Sequence, residues 1–511
     1  MDNTTMDTPI QQAAQTDVYH LFRGRVAAMP EAVALIDQGR QFSYLQLQGR
    51  VGRLAAHFTS LGLGAGDRIA ILARNRSEYI EVELAAAATG LIVACLNWRL
   101  LPADLHHCIM LVSPSLILTE TDLQPLLIDV SEIVQTTFGP EYEDALAQTS
   151  DFIAKPQNPE AGLVILYTSG TTGLPKGAVI SHRAIIARTA AFASELGLAP
   201  SDGFVAWAPM FHMASTDHAL ATLLRGGTVV MIDGYVPEAI CQAIEAHHIG
   251  WMVLIPGMIE PLIAHIKPRG IDPKGIHVCG AMADLVPPHQ IGEITKLLNA
   301  PYLNSFGATE TGLPPATRSV IPIGVVPETL PKQPSAFCEL RLVDEAGNDV
   351  PDGTPGELLM RGPTLFSGYW NADDANEEAF QGGWFHMGDV FRRNPDGTLD
   401  FADRAKYLIK TGGENVYPAE IERVLMADPH VTDAAVVRVS DDRWGEVPVA
   451  FVSCDSDDVS SGHLLAICQT ALARYKHPRD IRIIAFEDFP RSTSGKIQRH
   501  VLEARLGSDN K

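Results

Sequence analysis

The sequence predicts an α/β protein with a large N-terminal domain and a small, mobile α+β C-terminal domain. The large domain is expected to hold two parallel-type α/β subdomains and a small β-barrel-like subdomain. Three observations point there. Helical patterns alternate with short apolar runs from Val51 to Cys279, which is the rhythm of a parallel sheet. From about Pro334, short strand patterns sit between turns such as PDG at 351 and NPDG at 394, which reads as antiparallel sheet. From about Ala405 the chain carries a further set of β and α segments, with a junction near Asp403–Tyr407.

Taken in order, Val51–Leu61 is expected to be helical and Arg68–Ala73 a buried strand. Glu81–Ala88 returns to a helix and Leu91–Leu96 to a strand. The alternation recurs at Val229–Ile232, Ile240–His247, Trp251–Ile255 and Ile276–Cys279. Arg341–Val343, Gly356–Met360 and Leu399–Phe401 are the antiparallel strands. Ala435–Val439, Val449–Cys454, Leu464–Tyr475 and Ile481–Phe486 belong to the last domain.

The chain has 511 residues, enough for roughly three domains. It carries 39 basic and 61 acidic side chains, a net charge of −22, which argues against nucleic acid or an anionic membrane as a bulk partner. A local basic pocket for an anionic small molecule is still allowed. Seven widely spaced cysteines without a C-x-x-C suggest reduced thiols in a cytoplasmic protein. The first twenty residues lack the basic and apolar regions of a signal peptide. The longest apolar run, Leu84–Leu96, falls short of the about 18–20 residues of a membrane span and reads instead as buried core.

The stretch YTSGTTGLPKG, Tyr167–Gly177, has the composition of a phosphate-wrapping loop. Its lysine does not fit the Walker A spacing, because Lys176 stands between Pro175 and Gly177. Leu163–Tyr167 reads as a strand, Ala178–Ile180 as another, and Ser181 as the N-cap of a helix from His182. The loop therefore joins two strands. Gly170, Gly173 and Gly177 free backbone N–H groups to turn toward an anion, and Thr168, Ser169, Thr171 and Thr172 add hydroxyl donors. Composition alone also permits a mobile surface turn.

The loop resembles the signature of the adenylate-forming superfamily, which comprises acyl-CoA synthetases, peptide-synthetase adenylation domains and firefly-type luciferases. Four more segments resemble the family's motifs in its own order. They are SFGATE (Ser305–Glu310), GGWFHMGD (Gly382–Asp389), DRAKYLIKTGGENVYPAEIE (Asp403–Glu422) and RSTSGK (Arg491–Lys496). The likeness covers about residues 20 to 505. It implies an ATP- and acyl-binding domain over 1–403, a hinge at 404–406 and a mobile domain over 407–511.

The resemblance also implies the reaction. A carboxylate attacks the α-phosphorus of ATP, pyrophosphate leaves, and the acyl-adenylate then forms a thioester with coenzyme A. ATP, Mg²⁺ and coenzyme A are the implied cofactors, with a small carboxylic acid as partner and a homodimer allowed. Thr168, Ser169, Gly170, Thr171, Thr172 and Lys176 would hold phosphates. Gly280, Ala281, Ser305, Phe306 and Gly307 would line the adenine. Thr309 and Glu310 would hold the metal, Asp389 the ribose, and Arg404 ribose or phosphate. Lys496 would be the catalytic lysine and Lys406 the hinge. Lys410, Gly412 and Gly413 would pass the pantetheine arm, while Trp444, Tyr475, His477 and Arg479 would meet the nucleotide of coenzyme A. PMFHMAS (Pro209–Ser215) resembles the segment with a gating histidine, His212.

Met210, Met213, Val253, Met258 and Met282 are candidate acyl walls, although methionine is more often plain core. The acid itself stays open among aromatic, branched, fatty and alicyclic classes. Each residue type taken alone also has an ordinary reading: a turn aspartate, a helix-start Thr-Glu, a solvated tail lysine. Three positions depart from the family pattern: Phe306 for a common Tyr, Met387 for Thr or Ser, and Tyr407 for an acidic residue.

Two alternatives remain within the family: loading of a carrier-protein thiol, and a non-CoA adenylate-forming enzyme such as a luciferase-like oxygenase. No carrier domain follows Lys511, so free coenzyme A is the expected acceptor. Outside the family, a metal hydrolase would use His106–His107, His247–His248 or His212 with His218. None forms H-E-x-x-H, and structural histidines are the expected reading. GLGAG at Gly62–Gly66 lies after a helix and before a strand, the wrong order for a dinucleotide fold. G-x-S-x-G is absent.

Overall fold

A computed structural model describes residues 15–147, 152–169, 174–411, 414–441, 443–456, 458–491 and 496–509. Gly170, Thr171, Thr172, Gly412 and Gly413 lie outside the described residues. The chain divides into two units. The first comprises Met1–Trp251, Gly307–Pro314 and Gly362–Glu378, and the second Met252–Phe306, Pro315–Arg361 and Ala379–Lys511.

In the first unit, six strands follow the spatial order Val134–Thr137, Leu116–Thr119, Arg68–Leu72, Ile92–Cys95, Gly162–Ser169 and Pro175–Ser181. All neighbours are parallel except the last pair, which is antiparallel. A second set runs Arg40–Ser43, Val33–Asp37, Val229–Met231, Gly203–Ala206 and Ile249–Met252, parallel except at the Arg40–Ser43 edge. The helix expected from Val51 begins earlier, at Tyr44. The reason is a capping box: the Ser43 side chain accepts from the Gln46 backbone, and the Gln46 side chain reaches back to the Ser43 N–H.

The helix Ser77–Thr89 explains the long apolar run. It is buried from Ser77 to Ala88 and touches Ile92–Cys95 and Gly162–Ser169 of one sheet and Val33–Asp37 of the other. A helix covered on every side has no polar face to show. Its Glu81 is accommodated by Arg50 Nε at 2.5 Å and by the Tyr142 hydroxyl, which donates at 2.7 Å. Among the described residues no helix is long and apolar enough to cross a membrane.

In the second unit, Ile276–Cys279 pairs in parallel with Tyr302–Leu303, and Val320–Ile321 adds antiparallel. The expected β-barrel-like part is a four-stranded antiparallel sheet, Glu339–Val343, Pro355–Arg361, Phe385–Arg393 and Leu399–Arg404. A bridge from Lys332 to Leu399 extends it. The last part centres on the long hairpin Val431–Asp441 and Gly445–Cys454. Ile409–Thr411 and Asp480–Ile483 also pair with its second strand. Helices Pro418–Met426 and Ser461–Ala471 pack into the cluster of Ile409, Val436 and Val452. Leu502 and Leu506 join Ala435, Val437 and Phe451 in a second cluster.

Asn75, just ahead of the Ser77–Thr89 helix, holds the ends of several strands of the first unit. Its amide nitrogen donates among the carbonyls of Ala206, Ala208 and Ile232 at 2.7–3.0 Å, and its oxygen accepts from the Met210 N–H at 2.9 Å. Asn75→Ala leaves these buried groups without their partner. It is expected to lower the urea midpoint by an amount worth about 1–3 kcal/mol, measured by equilibrium unfolding against wild type.

Candidate active site

In the first unit, the glycine-rich stretch joins two antiparallel strands, as its flanks predict. Thr168 faces Lys176 and Ser169 faces Pro175 across the ladder. Ser181 caps the following helix, His182–Leu196, by accepting from the Ala184 N–H. The register puts Lys176 opposite Thr168, one pair in from the end of the ladder.

Thr309 and Glu310 stand at the tip of a tight turn. The Ala308 N–H donates to the Thr311 hydroxyl oxygen at 2.9 Å, and the Thr311 hydroxyl donates to the Gly312 carbonyl at 2.8 Å. The two sides of the turn approach so closely that a Cβ on Gly307 would lie 2.1 Å from the Gly312 oxygen. Arg188, from the His182–Leu196 helix, holds this turn from below. Its guanidinium pairs with Asp217 at 2.8 Å and donates to the carbonyls of Thr309 at 3.1 Å and Thr364 at 2.9 Å. Gly312, at φ +71°, leaves room for that side chain. Glu310 accepts from the Tyr369 hydroxyl at 2.9 Å, and Lys176 Nζ lies 5.1 Å from the centre of the same ring.

His212 caps the Met213–Arg225 helix, its Nδ1 accepting from the Ala214 N–H at 3.2 Å. The segment before it is fixed by Asn75 and by the Ser215 hydroxyl, which donates to Ala208 at 2.6 Å. Met210 and Met213 are buried there. His218 lies in an aromatic box, 4.3 Å from Trp251 and 4.6 Å from Phe192. Burial pushes its imidazole down to about 3, with the Arg225 and Arg188 charges adding, so it is a neutral core histidine at physiological pH.

In the second unit, Ile276–Cys279 ends at Gly280, whose φ is +82°, and a Cβ there would meet the Tyr302 ring at 2.2 Å. Only glycine fits both conditions. The Tyr302 hydroxyl donates to the Ala281 carbonyl at 2.8 Å, and Met282 follows in the left-handed region. Beneath this turn Lys332 is fully buried, with its ammonium 2.5 Å from Asp284 and 2.6 Å from the Asn304 side-chain oxygen. That pair ties the turn to the strand end carrying Ser305, which is itself buried. Phe306 packs edge-on against Phe391 at 4.7 Å and beside Phe401 at 5.9 Å. Met387, the departure from Thr or Ser, packs against the same cluster of Leu342, Leu358, Phe391 and Leu399.

Asp389 and Arg404 are directly opposed on neighbouring antiparallel strands. Asp389 is 1% exposed, and its Oδ1 lies 3.1 Å from Arg404 Nε. Lys406 follows in a short turn with its ammonium 5.0 Å from the Tyr407 ring, and Arg499 lies 4.7 Å from the same ring. Tyr407 thus meets two cations with its π face. Arg499 pairs with Glu422 at 2.6 Å and Asp403 at 3.4 Å, and the Ala419 N–H donates to Asp403 at 2.8 Å. Burial pushes the Glu422 carboxyl up to about 6 against the attraction of Arg499.

Lys496 is exposed and precedes Ile497, which forms an antiparallel bridge with Arg491. Arg491 pairs with Asp433 at 2.6 Å and lies over the Phe486 ring at 4.6 Å. A Cβ on Gly257 would lie 3.4 Å from Phe486 and 3.5 Å from Arg491. Arg491 and Phe486 therefore lie against the loop that follows Met252 and Val253 and contains Met258.

Lys410 is exposed, and its N–H donates to Glu446 at 2.9 Å. Trp444 and Tyr475 are exposed rings. His477 hydrogen-bonds the Leu472 carbonyl at 2.9 Å, and Arg479 pairs with Asp441, so both carry internal duties.

Sequence reasoning missed Arg188, Tyr369 and Lys332. Tyr369 lies in GYWN, just beyond a turn glycine, but nothing nearby marks it as a partner of Glu310. Arg188 reads as one polar residue on a helix, and Lys332 as a surface lysine between Pro331 and Gln333.

Comparison with known proteins shows the family. The AMP-binding enzyme family matches residues 22–370, and the AMP-binding enzyme C-terminal domain matches residues 420–496. An indoleacetate–CoA ligase of Aromatoleum aromaticum is 32% identical, covering 92% of this chain and 94% of that enzyme. A feruloyl-CoA synthase of an Amycolatopsis species is 31% identical, covering 94% and 98%. An o-succinylbenzoate CoA synthetase of Bacillus subtilis, solved with its acyl-adenylate intermediate, superposes with a TM-score of 0.82 at 25% identity, covering 94% and 97%.

Lys332→Met alone strands the Asp284 carboxylate in the interior and is expected to cost about 3–5 kcal/mol. Adding Asp284→Leu should recover most of that loss. Thermal unfolding of the two singles and the double checks it, and equal, additive losses would refute the pairing.

Proposed function

The chain belongs to the AMP-binding enzyme family, in its acyl-CoA synthetase branch, and we propose that the acid it activates is aromatic. It is an AMP-forming carboxylate–CoA ligase. The acid oxygen bonds to the α-phosphorus of ATP while the α–β bond breaks. The thiol of coenzyme A then takes the acyl group and AMP leaves. An aromatic acid is supported by the substrates for which the relatives are named, indoleacetate, ferulate and 2-succinylbenzoate.

The residue roles follow from charge. Both reactants of the first step are anions, so the protein must supply positive charge and oriented donors. Thr168, Ser169 and Lys176 hold the phosphates that leave, and Gly280, Ala281, Ser305 and Phe306 border the adenine. Asp389 accepts from the ribose hydroxyls with Arg404 beside it. For the acyl group the family resemblance assigns His212 and Met213 in the first unit, and separately Val253 and Met282 in the second.

Glu310 fits Mg²⁺ carried in with ATP. It is one carboxylate at a turn tip, oriented by a neutral phenol, and this ion takes one or two protein carboxylates with phosphate oxygens and waters. When bound, Mg²⁺ offsets phosphate charge during the transfer.

Lys496 brings the ammonium for the first step. The observation that carries this reading is the bridge of Ile497, the residue after Lys496, to Arg491, which lies against the loop beyond Val253. Rotation about 404–406 then withdraws Lys496 and presents Lys410 and the exposed rings of Trp444 and Tyr475 for the second step. The Asp403–Arg499 and Asp403–Ala419 contacts flank that pivot.

ATP–pyrophosphate exchange with indoleacetate, ferulate, 2-succinylbenzoate, octanoate and cyclohexanecarboxylate tests the acid class. At least one aromatic acid should exceed the aliphatic acids ten-fold or more in kcat/KM, and a preference for octanoate would overturn it. Exchange without thioester when coenzyme A is added would point to another acceptor. Lys496→Ala should slow adenylation by ~10²–10³ and spare thioester formation from supplied acyl-adenylate. Equal loss of both half-reactions would remove Lys496 from its role.

A further inference from the structure

We propose that Tyr369 is a positioning residue that holds the metal carboxylate, Glu310, and the phosphate-loop lysine, Lys176, on one ring while keeping their opposite charges from neutralising each other. This rests on the reading that Glu310 takes the metal and Lys176 the leaving phosphates. The two groups are 134 residues apart in the chain (310 − 176) and carry opposite charge. A direct Lys–Glu ion pair would consume both charges before the nucleotide arrives.

Tyr369 links them without that loss. Its hydroxyl donates to Glu310 Oε1 at 2.9 Å, which orients the carboxylate through a neutral donor. Lys176 Nζ lies 5.1 Å from the centre of the same ring, where the quadrupole attracts an ammonium and leaves its charge available.

The ring is fixed from several sides. Tyr369 bridges Ala178 on the strand that carries Lys176, and the Trp370 N–H donates to the Gly177 carbonyl at 2.8 Å. The Asn376 amide grips both backbone groups of Tyr369, accepting from the N–H at 2.6 Å and donating to the carbonyl at 2.8 Å. A Cβ on Gly368 would lie 3.0 Å from that amide. Phe366 packs edge-on against the ring at 4.8 Å, and its N–H donates to the Glu310 carbonyl at 2.8 Å. Backbone and ring of one short segment thus grip Glu310 together.

Two substitutions separate the two duties. Tyr369→Phe keeps the ring and removes the hydroxyl; Tyr369→Leu removes both. Mn²⁺ is titrated into the full chain with ATP and no acid, free Mn²⁺ being read by paramagnetic resonance, and metal-free pyrophosphate binding is measured by calorimetry. Tyr369→Phe should weaken Mn²⁺ about ten-fold and leave pyrophosphate within two-fold of wild type. Tyr369→Leu should weaken Mn²⁺ equally and pyrophosphate by about three-fold more.

Mn²⁺ affinity within two-fold of wild type for Tyr369→Phe would overturn the proposal, as would equal loss of both ligands in that variant. Glu310→Gln serves as the reference. If it leaves the Mn²⁺ titration unchanged, the metal role of Glu310 fails and the proposal falls with it, a result distinct from a silent Tyr369→Phe beside a Glu310→Gln that loses the metal.

Discussion

Arg188 is the point at which the first unit's site is assembled. One buried guanidinium reaches Asp217 on a neighbouring helix, the Thr309 carbonyl in the turn that carries Glu310, and the Thr364 carbonyl in the segment leading to Tyr369. Burying a charge is expensive unless every donor is used, so such a group tolerates little displacement of its partners. Asp217 is pushed up by burial and held down by Arg188. The guanidinium therefore positions two functional segments at once. Their placement follows from its planar fork rather than from local backbone preference.

The second unit uses buried charge in the same way. Lys332 joins Asp284 to Asn304 beneath the turn at Gly280. Arg499 joins Glu422 to Asp403 beside the proposed pivot. Hydrophobic packing would stabilise these places at least as well, but it would not select one register of strand end against turn. Directional ion pairs do, at some cost in stability.

The departures from the family pattern also have physical reasons. Met387 sits on an apolar cluster that a threonine would not fill. Phe306 belongs to a three-ring cluster with Phe391 and Phe401, which gives the ring packing partners in place of a phenol hydrogen bond. Tyr407 replaces a negative charge with a π face and still receives Lys406 and Arg499. In each case the packing around the position, rather than the motif, explains the residue.

By itself the sequence determined whatever is encoded within a few residues. The phosphate stretch lies between two strands because LVILY and AVI flank it, and Ser181 caps a helix because its hydroxyl is three residues ahead of an N–H that lacks a helical partner. Strand and helix order and the change to antiparallel sheet after Pro334 were legible for the same reason: periodicity and turn chemistry are local. Only the tertiary structure decided that Tyr369 lies beside Glu310 and Lys176, that Arg188 supports their turn, and that Lys332 is buried. Those placements depend on how distant strands come into register and where the chain returns across a sheet, and no short window of sequence carries that information.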